Sequence, residues 1–188
     1  MSNRLEGMRV AILATDLVER IELVEPRRAL EEAGAETELV SPHGGTIQTV
    51  NHDEKADEQA VDRLLEEADP SEYDAVLLPG GVANPDALRL DENAVDFVRQ
   101  IHAAGKPIAA ICHGPWLLVE AGLARDRRLT SWPSLKTDIR NAGGTWEDRE
   151  VIEDGGFVTS RKPDDIPAFN ARMVDVFAAA RDRSPELG

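Results

Sequence analysis

The sequence predicts an α/β fold in which a mostly parallel sheet is covered by helices on both faces. Short apolar runs alternate with amphipathic segments over the first two-thirds of the 188-residue chain, and this alternation is typical of βαβ units. The runs are apolar throughout instead of alternating with polar residues, as expected of strands buried on both faces. The length fits one domain, which we expect to include residues 1–188.

The first two-thirds of the chain has the clearest sequence patterns for strands and helices. The strands are predicted from unbroken apolar runs and the helices from apolar residues spaced three or four apart. Pro26 is tolerated only in the first turn of its helix, Asp91 is a candidate N-cap, and Gly34 and Gly105 are candidate helix ends. In chain order we predict a strand over 8–14, a helix over 21–34, a strand over 38–41, a hairpin arm over 46–50, a strand over 75–78, a helix over 91–104, a strand over 107–111 and a helix over 114–121.

The remaining segments have weaker patterns. The strongly acidic stretch 51–72 predicts mainly solvated loop with one or two turns of amphipathic helix. Beyond residue 122 we predict a strand over 128–131, a helix over 133–141, a hairpin over 150–160 and a closing helix over 164–180.

The composition restricts the location and the partners of the protein. The net charge is −15, from 36 acidic and 21 basic residues, and such a surface repels nucleic acid and anionic membranes. No apolar run is long enough to span a bilayer, and residues 1–7 lack the apolar core of a signal peptide. The single cysteine cannot form an internal disulfide. We therefore expect a cytoplasmic protein without a nucleic-acid-binding patch.

Two of the predicted strands end in unusual turns at the edge of the sheet where ligands bind in parallel α/β folds. One turn contains Gly80 and Gly81, and the other contains Cys112. Cys112 lies between the small residues Ala110 and Gly114, which is the pattern of a nucleophile elbow because a tight strand-to-helix turn excludes bulk. A lone cysteine is more often a core residue, but this context favours a reactive nucleophile.

The elbow also predicts the groups that would support the sulfur. A cysteine at the start of a helix is stabilised as a thiolate by the unpaired N–H groups there. The backbone N–H of His113 and an N–H of the Gly81 turn are candidates for an oxyanion hole. His113 is also the candidate base for Cys112.

The segments 77–81, 85–89 and 105–115 together resemble the ThiJ/PfpI superfamily, and within it the branch of PfpI-type intracellular proteases and general stress proteins. Segments 130–134 and 159–165 fit the same branch, and the resemblance extends from about Met8 to Phe177. It implies a flavodoxin-like three-layer sandwich with a cysteine nucleophile elbow. This expectation agrees with the fold class predicted from the residues alone.

The resemblance further implies two acidic residues at the site. The first is a glutamate after the first strand that hydrogen-bonds the reactive sulfur, and Glu19 is the matching position. One of the two groups should then hold a proton, because a carboxylate and a thiolate repel each other. The second is an acid from a neighbouring subunit that completes a pair formed by Cys112 and His113, and here it is Asp86. A homo-oligomer, either a dimer or a larger assembly, is therefore expected.

Several other classes of site are disfavoured by spacing. A class I glutamine amidotransferase takes its histidine from far downstream of the cysteine, and no histidine follows His113. The chain contains no H-x-x-x-H, C-x-x-C or P-loop pattern, so we expect neither a metal nor another cofactor.

Three functions stay open at this point. The favoured one is a cysteine hydrolase acting on damaged or glycated proteins and peptides, either as a peptidase or as a deglycase. The second is a glutathione-independent glyoxalase acting on methylglyoxal-type 2-oxoaldehydes. The third is a non-enzymatic redox sensor or chaperone in which Cys112 only oxidises.

Overall fold

A computed structural model of the chain describes residues 3–183. Its strands are β1 (Arg9–Leu13), β2 (Val18–Glu19), β3 (Glu36–Ser41), β4 (Thr46–Asn51), β5 (Glu54–Ala60), β6 (Arg63–Leu64), β7 (Ala75–Leu78), β8 (Ile108–Ile111), β9 (Arg128–Leu129), β10 (Thr145–Trp146), β11 (Ile152–Asp154) and β12 (Phe157–Ser160). Its α-helices are α1 (Arg20–Glu32), α2 (Ala83–Leu88), α3 (Glu92–Ala103), α4 (Trp116–Glu120), α5 (Lys136–Asn141) and α6 (Ile166–Arg183).

The central sheet has seven strands in the order β11-β12-β8-β7-β1-β3-β6. All neighbouring strands run parallel except the edge strand β11, which pairs antiparallel with β12. The predicted α/β class with a mostly parallel sheet, and the predicted hairpin over 150–160, are therefore confirmed.

Both faces of the sheet are buried. Along β1, Val10 and Ile12 pack in a cluster with α1 and α6, whereas Ala11 and Leu13 pack in a second cluster with α3, α4 and α5. Successive side chains of a strand point to opposite faces, so a strand covered on both sides requires an unbroken apolar run. This is why the apolar runs predicted β1, β7 and β8 closely, and it confirms the three-layer arrangement.

The prediction of solvated loop over the segment 51–72 is wrong in its first part. β5 pairs antiparallel with β4, and with β2 the two strands form a separate three-stranded sheet. Most side chains of β5 are exposed, so backbone hydrogen bonds to β4 hold this strand and its sequence shows no apolar alternation. The two-residue turn between the strands consists of His52 and Asp53. It reaches the edge of the central sheet where β7 and β8 end.

Three helices differ from the prediction, two of them in ways that affect the site. Pro26 was expected only in a first helical turn, but it lies inside α1. The short helix α2 was not predicted, and it follows the Gly80–Gly81 turn directly. α4 begins at Trp116 instead of Gly114, because residues 112–115 form a tight turn first. Over residues 3–183, no helix has the length and hydropathy needed to cross a membrane.

Candidate active site

Cys112 occupies a strained turn immediately after β8. Its φ is +62°, in the left-handed region that costs a non-glycine residue about 1–3 kcal/mol. The turn is held on both sides, because the Cys112 N–H donates to the Ser160 carbonyl at 3.0 Å and the Cys112 carbonyl accepts from the Trp132 N–H at 2.9 Å. Strain that the surrounding structure maintains in this way is typical of functional residues.

Two glycines allow the turns after β7 and β8 to approach each other. A Cβ on Gly80 would lie 2.6 Å from Glu22 Oε1 and 2.7 Å from Cys112 Cβ. A Cβ on Gly114 would lie 2.9 Å from the Ile111 carbonyl oxygen and would also overlap the backbone of the neighbouring strand β7. The elbow therefore tolerates no side chain at either position.

The carboxyl group beside the sulfur belongs to Glu22, which corrects the prediction of Glu19. Glu22 is fully buried, and its interaction with Cys112 contributes to the pKa of both groups. Its Oε1 accepts a hydrogen bond from the Gly81 N–H at 3.2 Å. Its Oε2 is buried without a hydrogen-bond partner among the described residues.

Glu19 has a different role one helical turn earlier. Its carboxylate accepts the His52 N–H, at 3.0 Å to Oε2 and 3.3 Å to Oε1, and thereby ties the β4–β5 turn to the start of α1. The sequence contained a signal for Glu22, since it lies on the buried stripe of α1 together with Leu23, Pro26 and Leu30. A glutamate on the apolar face of a helix is unusual and indicates a functional carboxyl.

Burial is the main cause of the unusual protonation of Glu22. Burial first and the nearby Glu19 carboxylate second raise the pKa of Glu22, the Gly81 N–H and Cys112 lower it, and the net pKa is about 8. The carboxyl group of Glu22 is therefore protonated at neutral pH. The unpartnered Oε2 agrees with this state, because an ionised buried oxygen without a donor would be costly.

The surroundings of Cys112 have opposing effects on the pKa of its thiol. Burial and the charge of an ionised Glu22 raise the pKa of Cys112, whereas the backbone N–H groups of Gly81 and His113 lower that pKa. Burial is the largest influence, so the net pKa of Cys112 lies above its ordinary value and the resting group is a thiol. Protonation of Glu22 removes the repulsion between like charges, and the two N–H groups then partly offset the effect of burial. The two amides predicted to form an oxyanion hole thus converge on the sulfur, and their role toward a substrate oxygen stays a prediction.

His113 lies directly against the sulfur of Cys112. Its Nδ1 is 3.2 Å from Cys112 Sγ, and its Nε2 is 3.4 Å from the hydroxyl oxygen of Ser134. The ring stacks on Trp132, with centroids 5.9 Å apart, and meets the edge of Trp116 at 5.1 Å. Burial lowers the pKa of His113 to about 4, so the imidazole is neutral at neutral pH and is a weaker base than a solvated histidine.

Asp86 does not reach the pocket within one chain. It lies in the first turn of α2 with an exposed side chain, while its backbone N–H donates to the Val82 carbonyl at 3.2 Å. Its assignment as an acid supplied to a neighbouring subunit stays a prediction.

The sulfur opens into a pocket of about 260 Å³. Cys112 is only 6 % exposed, so a substrate must enter this pocket to reach it. Within residues 3–183, no group of three or more histidine, cysteine, aspartate or glutamate side chains is placed to hold a metal ion. The pocket is lined by Glu19, Glu22, His52, Asp53, Gly81, Val82, Cys112, His113, Trp132 and Pro163.

A strained cysteine at the carboxyl end of a parallel sheet, with a buried carboxyl and a histidine beside it, defines the class of α/β proteins built around a nucleophilic cysteine. Comparison with known sequences agrees with this class. The chain belongs to the DJ-1/PfpI family, whose sequence profile matches residues 8–176, as the resemblance in the sequence predicted.

Individual relatives extend the match over most of the chain. A deglycase of Pyrococcus abyssi is 44% identical over 167 residues, which cover 89% of this chain and 98% of the relative. Protein/nucleic acid deglycase 2 of Escherichia coli is 40% identical over 172 residues, covering 91% and 98% of the two chains. The crystal structure of Drosophila melanogaster DJ-1beta superposes with a TM-score of 0.82 at 26% identity, covering 97% of this chain and 95% of that one.

Proposed function

We propose that this protein is a stress-related cysteine hydrolase that acts on damaged or glycated proteins and peptides, with Cys112 as its nucleophile. The observation that carries the proposal is the environment of Cys112. Its backbone is strained, and its sulfur lies beside the buried, protonated Glu22 and the neutral His113. Relatives named deglycase, at 40–44% identity, and general stress protein 18 of Bacillus subtilis, at 39% identity, support it.

The geometry supports nucleophilic attack on a carbonyl carbon. His113 Nδ1 accepts the thiol proton, and the sulfur adds to the carbon to form a carbon–sulfur bond. The N–H groups of Gly81 and His113 are placed to stabilise the resulting oxyanion. For an amide, collapse of the tetrahedral species releases the amine with a proton from His113 or Glu22 and leaves a thioester. For a methylglyoxal hemiaminal, the sulfur replaces the amine on the former aldehyde carbon to give a hemithioacetal, and transfer of the proton on that carbon to the adjacent carbonyl carbon through an enediol gives a lactoyl thioester without an external oxidant. Water hydrolyses the thioester in either case and regenerates the thiol.

The dimensions of the site favour deglycation over cleavage of a polypeptide backbone. A pocket of about 260 Å³ accommodates a modified side chain, whereas an extended peptide needs an open groove around an accessible nucleophile. For a methylglyoxal adduct of an amine, the overall reaction consumes one water and releases the free amine and lactate. A glyoxalase would use the same residues on free methylglyoxal, so substrate preference must decide between the two activities.

A comparison of substrates tests this function. We expect purified protein to release free amine and lactate from a methylglyoxal-modified peptide, after unbound methylglyoxal has been removed by desalting. The rate must exceed the spontaneous reversal of the adduct, which is measured without enzyme. Slower cleavage of casein is expected because an extended backbone does not fit the pocket.

The other outcomes of this comparison identify the alternatives. Turnover of free methylglyoxal alone, with adduct repair no faster than spontaneous reversal, would show a glyoxalase. Oxidation of Cys112 by mild peroxide with no turnover of any carbonyl substrate would show a redox sensor.

We further propose that Asp86 completes the site of a neighbouring subunit by contacting His113. Its exposed position on α2 leaves its carboxylate available to a second copy of the chain. The variant Asp86→Asn is expected to lower kcat/KM about 10- to 100-fold, because the imidazolium formed during catalysis loses its counter-charge. The melting temperature should change little, since the side chain is exposed.

Mixed oligomers show whether Asp86 acts in trans. Asp86→Asn and Cys112→Ala subunits, each nearly inactive alone, should recover part of the activity after they are dissociated and reassembled together. Full activity of Asp86→Asn, or no recovery in demonstrated mixed oligomers, would reject the contact between subunits.

We also propose a cytoplasmic location and polypeptide substrates. The single cysteine is free and buried, as suits a reducing compartment. The net charge of −15 disfavours binding to polyanions, so side chains of proteins and peptides are the expected substrates.

A further inference from the structure

His113 is held in one plane by two indole rings. Its imidazole stacks on Trp132 with the ring centroids 5.9 Å apart, and it makes a T-shaped contact with Trp116 at 5.1 Å. The Trp116 Nε1–H donates to Asp138 at 2.9 Å, which fixes that indole in turn. Packing of this kind sets the plane of the imidazole, but it does not decide which of the two ring nitrogens carries the proton.

The location of that proton decides whether His113 can act as a base. Nδ1 lies 3.2 Å from Cys112 Sγ, and a neutral imidazole has one nitrogen that donates and one that accepts. Nδ1 can therefore receive the thiol proton only when the ring proton is on Nε2. Nε2 must then donate to an acceptor, because His113 is only 6 % exposed and a buried N–H without a partner is costly.

The hydroxyl oxygen of Ser134 is placed to accept this hydrogen bond, since it lies 3.4 Å from Nε2. The alternative tautomer would direct the ring N–H at the thiol sulfur, which is a weaker acceptor than a hydroxyl oxygen. The arrangement with Nε2–H donating to Ser134 and the thiol donating to Nδ1 therefore satisfies both ring nitrogens best. The same oxygen still accepts from Nε2–H after Nδ1 has been protonated, so it also stabilises the imidazolium.

Backbone contacts hold Ser134 in place relative to the elbow. Ser134 lies in a single turn of 3-10 helix, Pro133–Leu135, just before α5. The Trp132 N–H donates to the Cys112 carbonyl at 2.9 Å, and the Trp132 carbonyl accepts from the Leu135 N–H at 3.0 Å. The side chain of Leu135 is fully buried. The serine therefore belongs to a segment that is hydrogen-bonded to the turn of Cys112 itself.

We propose that Ser134 is a positioning residue that keeps the proton of neutral His113 on Nε2 and so leaves the lone pair of Nδ1 directed at the Cys112 thiol. When the thiol reacts, its proton passes to Nδ1 while Nε2–H continues to donate to Ser134. Ser134 is not among the residues that line the pocket, so it acts through His113 and not on the substrate. The inference rests on the proposed function in taking His113 as the base for Cys112.

This contact within one chain is compatible with an acid from a neighbouring subunit. Such an acid would approach Nε2, because Nδ1 is directed at the sulfur. A serine hydroxyl has one donor and two acceptor positions. Ser134 can therefore accept from Nε2 and donate its own hydrogen to the carboxylate of Asp86 of a second copy, and its contact with His113 does not require that copy.

NMR of protein with isotope-labelled histidine rings tests the tautomer directly. Couplings between the ring nitrogens and the carbon-bound ring protons identify the protonated nitrogen, and the signals of His113 are those missing from His113→Gln. We expect the proton on Nε2 in the wild type at neutral pH, and a mixture of both tautomers in Ser134→Ala. Ser134→Thr keeps the hydroxyl and should show the wild-type pattern. A proton on Nδ1 in the wild type, or an unchanged tautomer in Ser134→Ala, would contradict the proposal.

The reactivity of Cys112 gives a second readout. Iodoacetamide forms a carbon–sulfur bond and releases iodide, and the thiol proton passes to His113 and then to solvent. Cys112 is the only cysteine, so mass spectrometry follows this site alone. We expect Ser134→Ala to slow alkylation about tenfold and Ser134→Thr to stay within about threefold of wild type, because a hydrogen bond to a group that becomes charged is lost only in the first. In a His113→Gln background, Ser134→Ala should have no further effect.

Turnover separates an effect on His113 from an effect on substrate binding. With a glycated peptide, Ser134→Ala should lower kcat and leave KM nearly unchanged, since the serine is outside the pocket. The matched control is Thr137→Ala, which removes an exposed hydroxyl from the first turn of α5. It should behave as wild type in the tautomer, alkylation and turnover measurements. Melting temperatures should change little in either variant, because both side chains are exposed.

Two further results would overturn the proposal. One is alkylation of Ser134→Ala at the wild-type rate. The other is an equal loss of reactivity on Ser134→Ala whether or not His113 is present, since the serine would then act on the fold of the elbow and not through the ring. Neither the tautomer nor alkylation requires turnover, so the expected results in both without hydrolysis of a glycated peptide would reject the proposed function and retain this inference.

Discussion

Cys112→Ser is expected to lower kcat/KM on a glycated peptide by about 10³-fold or more, because a serine hydroxyl at this position is far harder to ionise than a thiol. The replacement is almost isosteric, and serine can hold the same hydrogen bonds through its backbone. Melting temperature and circular dichroism should therefore match those of the wild type. The measurement is steady-state release of amine and lactate.

Cys112→Ala is the companion variant, and it removes the nucleophile without adding a polar group to the buried turn. Both variants should be equally inactive. Residual activity within tenfold of wild type in either one would show that the sulfur is not the nucleophile. His113 or Glu22 would then have to promote the reaction by acid–base catalysis alone.

Glu22→Gln should have the second largest effect. An amide keeps the size of the protonated carboxyl and a donor toward the sulfur, but it cannot transfer a proton. We expect kcat/KM to fall about 10²- to 10⁴-fold, the usual contribution of a positioned acid or base. The wild-type kcat/KM should also decline as pH rises through about 8, where Glu22 loses its proton.

The stability of the fold should depend on pH for the same reason. The pKa of Glu22 is raised from its ordinary value of 4.5 to about 8, so the folded state binds this proton more tightly than the unfolded chain does. The free energy of unfolding of the wild type is therefore expected to decrease between these pH values. Glu22→Gln should lack this decrease, and denaturant titrations of both proteins across the range measure it.

Glu19→Gln is the matched control for this interpretation. It removes the charge that raises the pKa of Glu22, so the alkaline decline in activity should shift to lower pH while most of the activity at neutral pH is kept. A loss at Glu19→Gln as large as that at Glu22→Gln would restore the original assignment of Glu19. An unchanged pH profile in both variants would exclude the buried carboxyl from catalysis.

Features that depend on neighbouring residues in the chain could be predicted from the sequence. β7 was predicted with its exact bounds and β8 within one residue, because burial on both faces leaves an unbroken apolar run. The elbow was also predictable, since the glycines at 80 and 114 are needed where two turns approach closely. By contrast, β5 carries no apolar alternation, because its pairing with β4 depends on backbone hydrogen bonds.

The fold class and the position of Cys112 in a turn beside His113 could be predicted from the sequence alone, since each follows from burial or from a local turn. That Glu22 and not Glu19 lies beside the sulfur depends on tertiary packing. The two residues are one helical turn apart, and their side chains diverge because Glu22 faces the core whereas Glu19 binds the turn at His52. The position of Asp53 at the pocket likewise depends on tertiary structure, because the pairing of β4 with β5 brings the turn that contains it there.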